Sequence, residues 1–214
     1  MTKKTSKGKI VISIVIAAVL WFFMFSPWTK GITNFWITMS VSAIVLTLLA
    51  LHFSSDDNHF SIERPVFQLL LGIFLAFALW GLFWIGDKLS TMMFSFARPE
   101  VDAVYSMKEG LPIWLITILV LFIIGPAEEF FWRGFIQREM AGLFKKNQRM
   151  HAFWTTVIVY SLIHIWSMNF MLVMAAFVAG FVWGIIYRFR PQLLPALIVS
   201  HALWDVLVFV IFPI

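Results

Sequence analysis

The sequence contains no cysteine. That removes disulfide frameworks, thiolate nucleophiles and zinc–thiolate centres in one step. Charge is scarce as well: 13% of the 214 residues are Asp, Glu, Lys or Arg, against about 25% in an ordinary soluble domain. Several catalytic signatures are missing. There is no Gly-x-Ser-x-Gly elbow, no phosphate-binding loop and no His-Glu-x-x-His helix, which sets aside the enzymes built on those motifs. No internal repeat and no low-complexity linker interrupts the chain, so residues 1–214 read as a single membrane domain.

What the chain has in excess is apolar surface. It is 61% hydrophobic, where a soluble domain is about 45–50%, and its mean hydropathy is +0.90. Such a chain buries its apolar side chains in lipid. The net charge of +5 then marks cytoplasmic loops rather than a nucleic-acid surface. Membrane lipid is the expected partner, and nucleic acid is not. Lys3, Lys4, Lys7 and Lys9 precede an apolar run from Ile10 to Phe25. Ser26-Pro27-Trp28 follows in place of a small-residue cleavage site, so the run reads as an uncleaved first helix.

A membrane-spanning helix needs about 20 mostly apolar residues. The qualifying runs are roughly 10–28, 31–53, 66–86, 112–133, 152–168, 169–188 and 193–213. Open strands cannot satisfy their backbone in hydrocarbon. The expected fold is therefore an all-α polytopic membrane helix bundle of about seven transmembrane helices, with an interfacial segment at 87–110. Thr33, Thr38, Ser40, Ser42 and Thr47 give the second helix the polar residues that commonly join helices in lipid. Eleven basic residues fall on one side (Lys3, Lys4, Lys7, Lys9, Arg64, Arg138, Lys145, Lys146, Arg149, Arg188, Arg190) and four on the other (Lys30, Lys88, Arg98, Lys108). That bias predicts a cytoplasmic N-terminus and an external C-terminus. Short loops and small size point to the cell membrane of a prokaryote.

Charge at the centre of a membrane helix costs at least about 2.5–3.5 kcal/mol per residue. The apolar runs nevertheless hold Glu128, Glu129 and Arg133 in the fourth, His164 in the fifth, and His201 and Asp205 in the seventh. His52 and His151 sit at helix ends, where solvation accounts for them. Glu129 and Arg133 are four apart and share a face, as do His201 and Asp205. Glu128 is rotated roughly 100° from Glu129 and lacks a cation on its own helix. These pairs could serve only to lock helices together, but six ionisable groups converging from three helices describe a site better than they describe glue.

Glu128-Glu129-x-x-x-Arg133, Tyr160-x-x-x-His164 and His201-x-x-x-Asp205, in that order on separate helices, resemble the three motifs of the CAAX-protease and bacteriocin-processing (CPBP, or Abi) intramembrane peptidases. The resemblance covers roughly 112–213, which would be the catalytic core. Tyr160 departs from the family's usual Phe and brings a hydroxyl that wants a partner. The resemblance implies an intramembrane endopeptidase with catalytic residues Glu128, Glu129, Arg133, His164, His201 and Asp205. Its substrate would be a membrane-associated protein or peptide, either prenylated or bacteriocin-like. Glu128 would be the general base, with His164 orienting the water. His201 would stabilise the oxyanion with Asp205 fixing its tautomer, and Glu129–Arg133 would hold the helix. The family is described both with and without a metal; here Glu128, His164 and His201 are the residues that would hold a divalent ion such as zinc. A catalytically silent scaffold and a proton-coupled transporter are the competing readings. The fourth run ends near residue 133, so Glu128 lies roughly 7 Å from its inner end, which predicts cytoplasmic access past Gly134 and a scissile bond near the cytoplasmic face.

Overall fold

The computed structural model describes residues 6–29, 31–32, 34–54, 63–108 and 110–214. Its helices are α1 (Lys7–Phe25), α2 (Phe35–Phe53), α3 (Pro65–Met93), α4 (Ala97–Tyr105), α5 (Ile113–Ala141), α6 (Gln148–Leu162), α7 (Phe170–Phe189) and α8 (Pro191–Ile211). No strand occurs among the described residues. The starts follow from local chemistry. Asn34 caps α2 by accepting from the N–H groups of Trp36 and Ile37, and Asn169 caps α7 by accepting from Leu172. Pro65 and Pro191 sit where a helix's first N–H groups have no partner to lose.

Among the described residues, six helices are long and apolar enough to cross a membrane: α1, α2, α3, α5, α7 and α8. α6 has 15 residues, and a 3₁₀ turn of five, Ile163–Ser167, extends it. The two together reach roughly 32 Å. The expected seven runs thus resolve into six long helices and α6 with its extension.

The chain alternates between two ends of the bundle. At one end α4 meets the start of α7 and the chain's last residue. Arg98 Nη1 donates to the Ile214 carbonyl at 3.2 Å, and Asn169 Nδ2 to the Glu100 carbonyl at 2.7 Å. At the other end Ser54 Oγ donates to Glu139 Oε1 at 3.4 Å, and Lys9 lies 5.6 Å from the Phe53 ring centre. Lys7 and Ile214 therefore lie at opposite ends.

Two boundaries differ from the sequence reading for one reason. Charges were taken as helix ends, but here they are paired and the helices continue. Asp87 is matched by Lys88 at 3.4 Å and Arg98 at 3.2 Å, so α3 runs to Met93. What was read as an interfacial segment at 87–110 is the last turns of α3, then α4 and a 3₁₀ turn. Arg138 and Glu139 pair with one another and with Ser54, so α5 runs to Ala141. The hydroxyls of α2 also differ from expectation. Ser40, Ser42 and Thr47 donate to carbonyls one turn back on their own helix, and so contribute no link between helices through these bonds.

Polarity is inverted relative to a soluble protein. Val15, Leu48, Phe74, Phe77 and Phe122 face outward, while Glu128, Glu129, Arg133, Gln137, His164 and His201 are buried. On one side Trp21 of α1 packs with Phe131, Trp132 and Phe135 of α5 and with Tyr160 of α6. On the other, Ala76 and Leu79 of α3 pack with Trp183 of α7 and Leu197 of α8.

Candidate active site

α5 is not a regular helix where it carries the acidic residues. It takes π geometry over Val120–Ile124 and Phe130–Gln137, with one α-helical stretch, Gly125–Glu129, between them. Gly125 brings α5 against α8: a Cβ built there would lie 2.7 Å from Ala202 Cα and 2.9 Å from its nitrogen. The two backbones thus touch one residue from His201. Gly180 on α7 does the same for side chains, since a Cβ there would lie 2.9 Å from the Tyr160 ring. These contacts draw α5, α6, α7 and α8 into one site.

Successive residues on α5 face different partners. Glu128 lines a cavity of about 100 Å³ together with Tyr160, His164, His201 and Asp205. Glu129 points behind it and is fully buried. Its Oε1 accepts from Arg133 Nη1 at 2.7 Å and from His201 Nδ1 at 2.9 Å. Arg133 also donates through Nη2 to the Gly180 carbonyl at 3.2 Å, and its guanidinium lies 5.1 Å from the Tyr160 ring centre and 5.5 Å from that of Trp183. Of the six residues singled out in the sequence, four therefore line the cavity, and Glu129 with Arg133 form the bracket behind it.

The histidines are held differently from the sequence expectation. Asp205 was expected to fix the tautomer of His201, but its Oδ2 is 3.8 Å from His201 Nε2, beyond hydrogen-bond reach. Glu129 fixes the ring instead, at Nδ1. Trp183 stacks on the imidazole at 4.0 Å and 20°. His164 has both nitrogens engaged: Nδ1 lies 2.8 Å from the Tyr160 carbonyl, and Nε2 accepts from Trp21 Nε1 at 3.1 Å. The Tyr160 hydroxyl finds its partner in Glu128 Oε2 at 3.2 Å. Trp21, Trp183 and Gly180 were not foreseen, since none belongs to a motif and an apolar helix supplies no signal for them.

The arrangement does not fit the expected metal set. A catalytic zinc takes about three protein ligands. His164 has no free nitrogen, His201 has given Nδ1 to Glu129, and no three His, Asp or Glu among the described residues are placed to hold an ion.

The cavity's position also departs from expectation. Its walls come from Phe25, Phe35, Met39, Val104, Met107, Leu172 and Phe209, all toward the α4 end. Glu128 is thirteen residues from Ala141, so roughly 20 Å from the opposite end. Gly134 is buried against Leu194. α5 continues eight residues beyond residue 133, to Ala141, so Glu128 is not near its end.

An all-helical, polytopic integral membrane protein with a glutamate–histidine cavity inside its bundle is the class these features define. Residues 110–207 match the Rce1-like family model, described as type II CAAX prenyl endopeptidase Rce1-like. This agrees with the family resemblance of the three motifs. The match begins ahead of α5 and ends within α8, leaving α1 to α4 outside it. No curated protein and no solved structure matches the chain.

Proposed function

We propose that the protein is an intramembrane endopeptidase in which Glu128 activates water. The observation that carries this reading is the placement of Glu128: a carboxylate inside an apolar bundle, facing a cavity, with a phenol on one oxygen and no cation on its own face. Glu129 beside it is neutralised by Arg133 and His201, so the two glutamates divide into a structural one and a reactive one.

The chemistry follows from the donors present. Tyr160 holds Glu128 Oε2, leaving Oε1 for a water. Glu128 takes a proton from that water as it attacks the scissile carbonyl, and returns it to the leaving amine. His201 is oriented by Glu129 through Nδ1, and its Nε2 faces the cavity side, where a proton on it stabilises the oxyanion. Asp205, 3.8 Å away, balances that charge. No step runs through a metal ion.

Substrate reaches the site from the α4 end in this reading. The basic residues of Arg138, Lys145, Lys146 and Arg149 lie at the other end, and basic loops are cytoplasmic. Access is then from the external side, not the cytoplasmic side expected from the shorter helix. Beside the site lies a larger cavity of about 380 Å³ between α3, α4, α7 and α8, lined almost wholly by apolar groups, which shares Val104, Leu172, Ala175, Trp204 and Phe209 with it. This supports a substrate anchored by an apolar chain or segment, with its scissile bond within the membrane.

The test is Glu128→Gln, which keeps shape and removes the base. Membranes from cells with wild-type protein should contain a cleaved peptide bond that is absent with Glu128→Gln, while the variant accumulates and melts like wild type. Identical peptide profiles from the two would refute the peptidase reading.

A further inference from the structure

We infer that Trp21, on α1 and outside the family match, is a positioning residue for the active site. The geometry is a chain of hydrogen bonds that starts at its indole. Trp21 Nε1 donates to His164 Nε2 at 3.1 Å, His164 Nδ1 meets the Tyr160 carbonyl at 2.8 Å, and the Tyr160 hydroxyl donates to Glu128 Oε2 at 3.2 Å. Trp21 and Tyr160 thus hold His164 from both sides, and Tyr160 in turn holds Glu128.

The chemistry of the two outer groups fixes the middle one. An indole N–H only donates and a backbone carbonyl only accepts. His164 satisfies both only as the neutral imidazole with its proton on Nδ1. The other neutral tautomer sets two N–H groups against each other at Nε2 and a lone pair against the carbonyl at Nδ1. The imidazolium loses the Trp21 bond in the same way. His164 is therefore held neutral and in one orientation, with its Nε2 lone pair committed to Trp21.

Trp21 is itself fixed. Its side chain is 1% exposed and meets Trp132 of α5 edge-on at 6.3 Å, the residue next to Arg133. It also meets the His164 ring edge-on at 5.9 Å. A hydrogen bond between buried groups is directional, and leaving the partner unsatisfied is costly. Without the indole N–H, the His164 acceptor is orphaned and the ring is free to turn. The Tyr160 carbonyl then loses its side-chain donor, on the same residue whose hydroxyl orients Glu128.

The inference concerns the same site as the peptidase reading but uses a readout that needs no substrate, so either can fail without the other. Protein labelled with ¹⁵N-histidine is reconstituted in lipid nanodiscs, and the His164 ring signals are assigned by their loss in His164→Gln. In wild type they should show a proton on Nδ1 and an Nε2 shifted upfield by an accepted hydrogen bond. Trp21→Phe should move Nε2 downfield toward the value of a free lone pair. Benzothienylalanine at position 21 keeps the indole's shape and lacks only the N–H. It should give the same shift although the packing is kept, which separates the hydrogen bond from packing. An Nε2-protonated His164 in wild type, or an Nε2 signal unmoved by the benzothienyl replacement, overturns the proposal.

Discussion

Arg133→Ala tests whether the bracket behind the cavity holds the bundle together. The guanidinium makes a 2.7 Å ion pair with Glu129, donates to the Gly180 carbonyl and sits against two aromatic rings. Its loss leaves Glu129, which is 0% exposed, with His201 as its remaining partner. Breaking a buried pair from one side costs about 3–5 kcal/mol. His201 keeps its hydrogen bond to Glu129, so the lower part of that range applies, about 3 kcal/mol. For a chain of this size each kcal/mol moves the unfolding midpoint by about 2–4 °C. The expected loss is thus about 6–12 °C in a thermal melt of the protein in detergent. The double variant Arg133→Met with Glu129→Gln removes both charges and should recover most of it, since the penalty comes from the unpaired partner. An Arg133→Ala midpoint within about 1 °C of wild type would show that the pair carries no structural energy. A double variant as unstable as the single one would place the cost in packing.

Gly125→Ala puts a methyl group 2.7 Å from the Ala202 backbone, where nothing flexible can yield, and should destabilise the protein by about 1–3 kcal/mol; Gly81→Ala, with nothing within 4 Å, should be neutral or stabilising, and equal melting of the two would refute the close approach. The direction of access is read by single cysteines, since the native chain has none. Met107→Cys, on the cavity wall, should react with an impermeant thiol reagent in intact cells, and Leu143→Cys, exposed at the other end, only after permeabilisation. The reverse pattern would overturn external access.

The sequence by itself determined the class of the protein and the cast of its site. Apolar runs leave no alternative to membrane helices, because hydrocarbon tolerates no unpaired backbone. The cost of burying charge made Glu128, Glu129, Arg133, His164, His201 and Asp205 stand out without any structure. The i, i+4 spacing announced the Glu129–Arg133 pair, because residues on one helix have their separation set by covalent geometry. Tyr160 showed that a hydroxyl needed a partner but not which one. What only the tertiary structure decided lies between helices. Glu129 rather than Asp205 holds His201; Trp21, 143 residues away in sequence, takes the lone pair of His164; and α5 runs on past its charges because Ser54 and a neighbouring carboxylate satisfy them. The length of that helix places Glu128 near its middle and not near its end. A hydrogen bond between helices depends on their rotation and closeness. Those are set by the sum of packing at positions such as Gly125 and Gly180, where what matters is the atom that faces the glycine, and no local pattern in the chain records it.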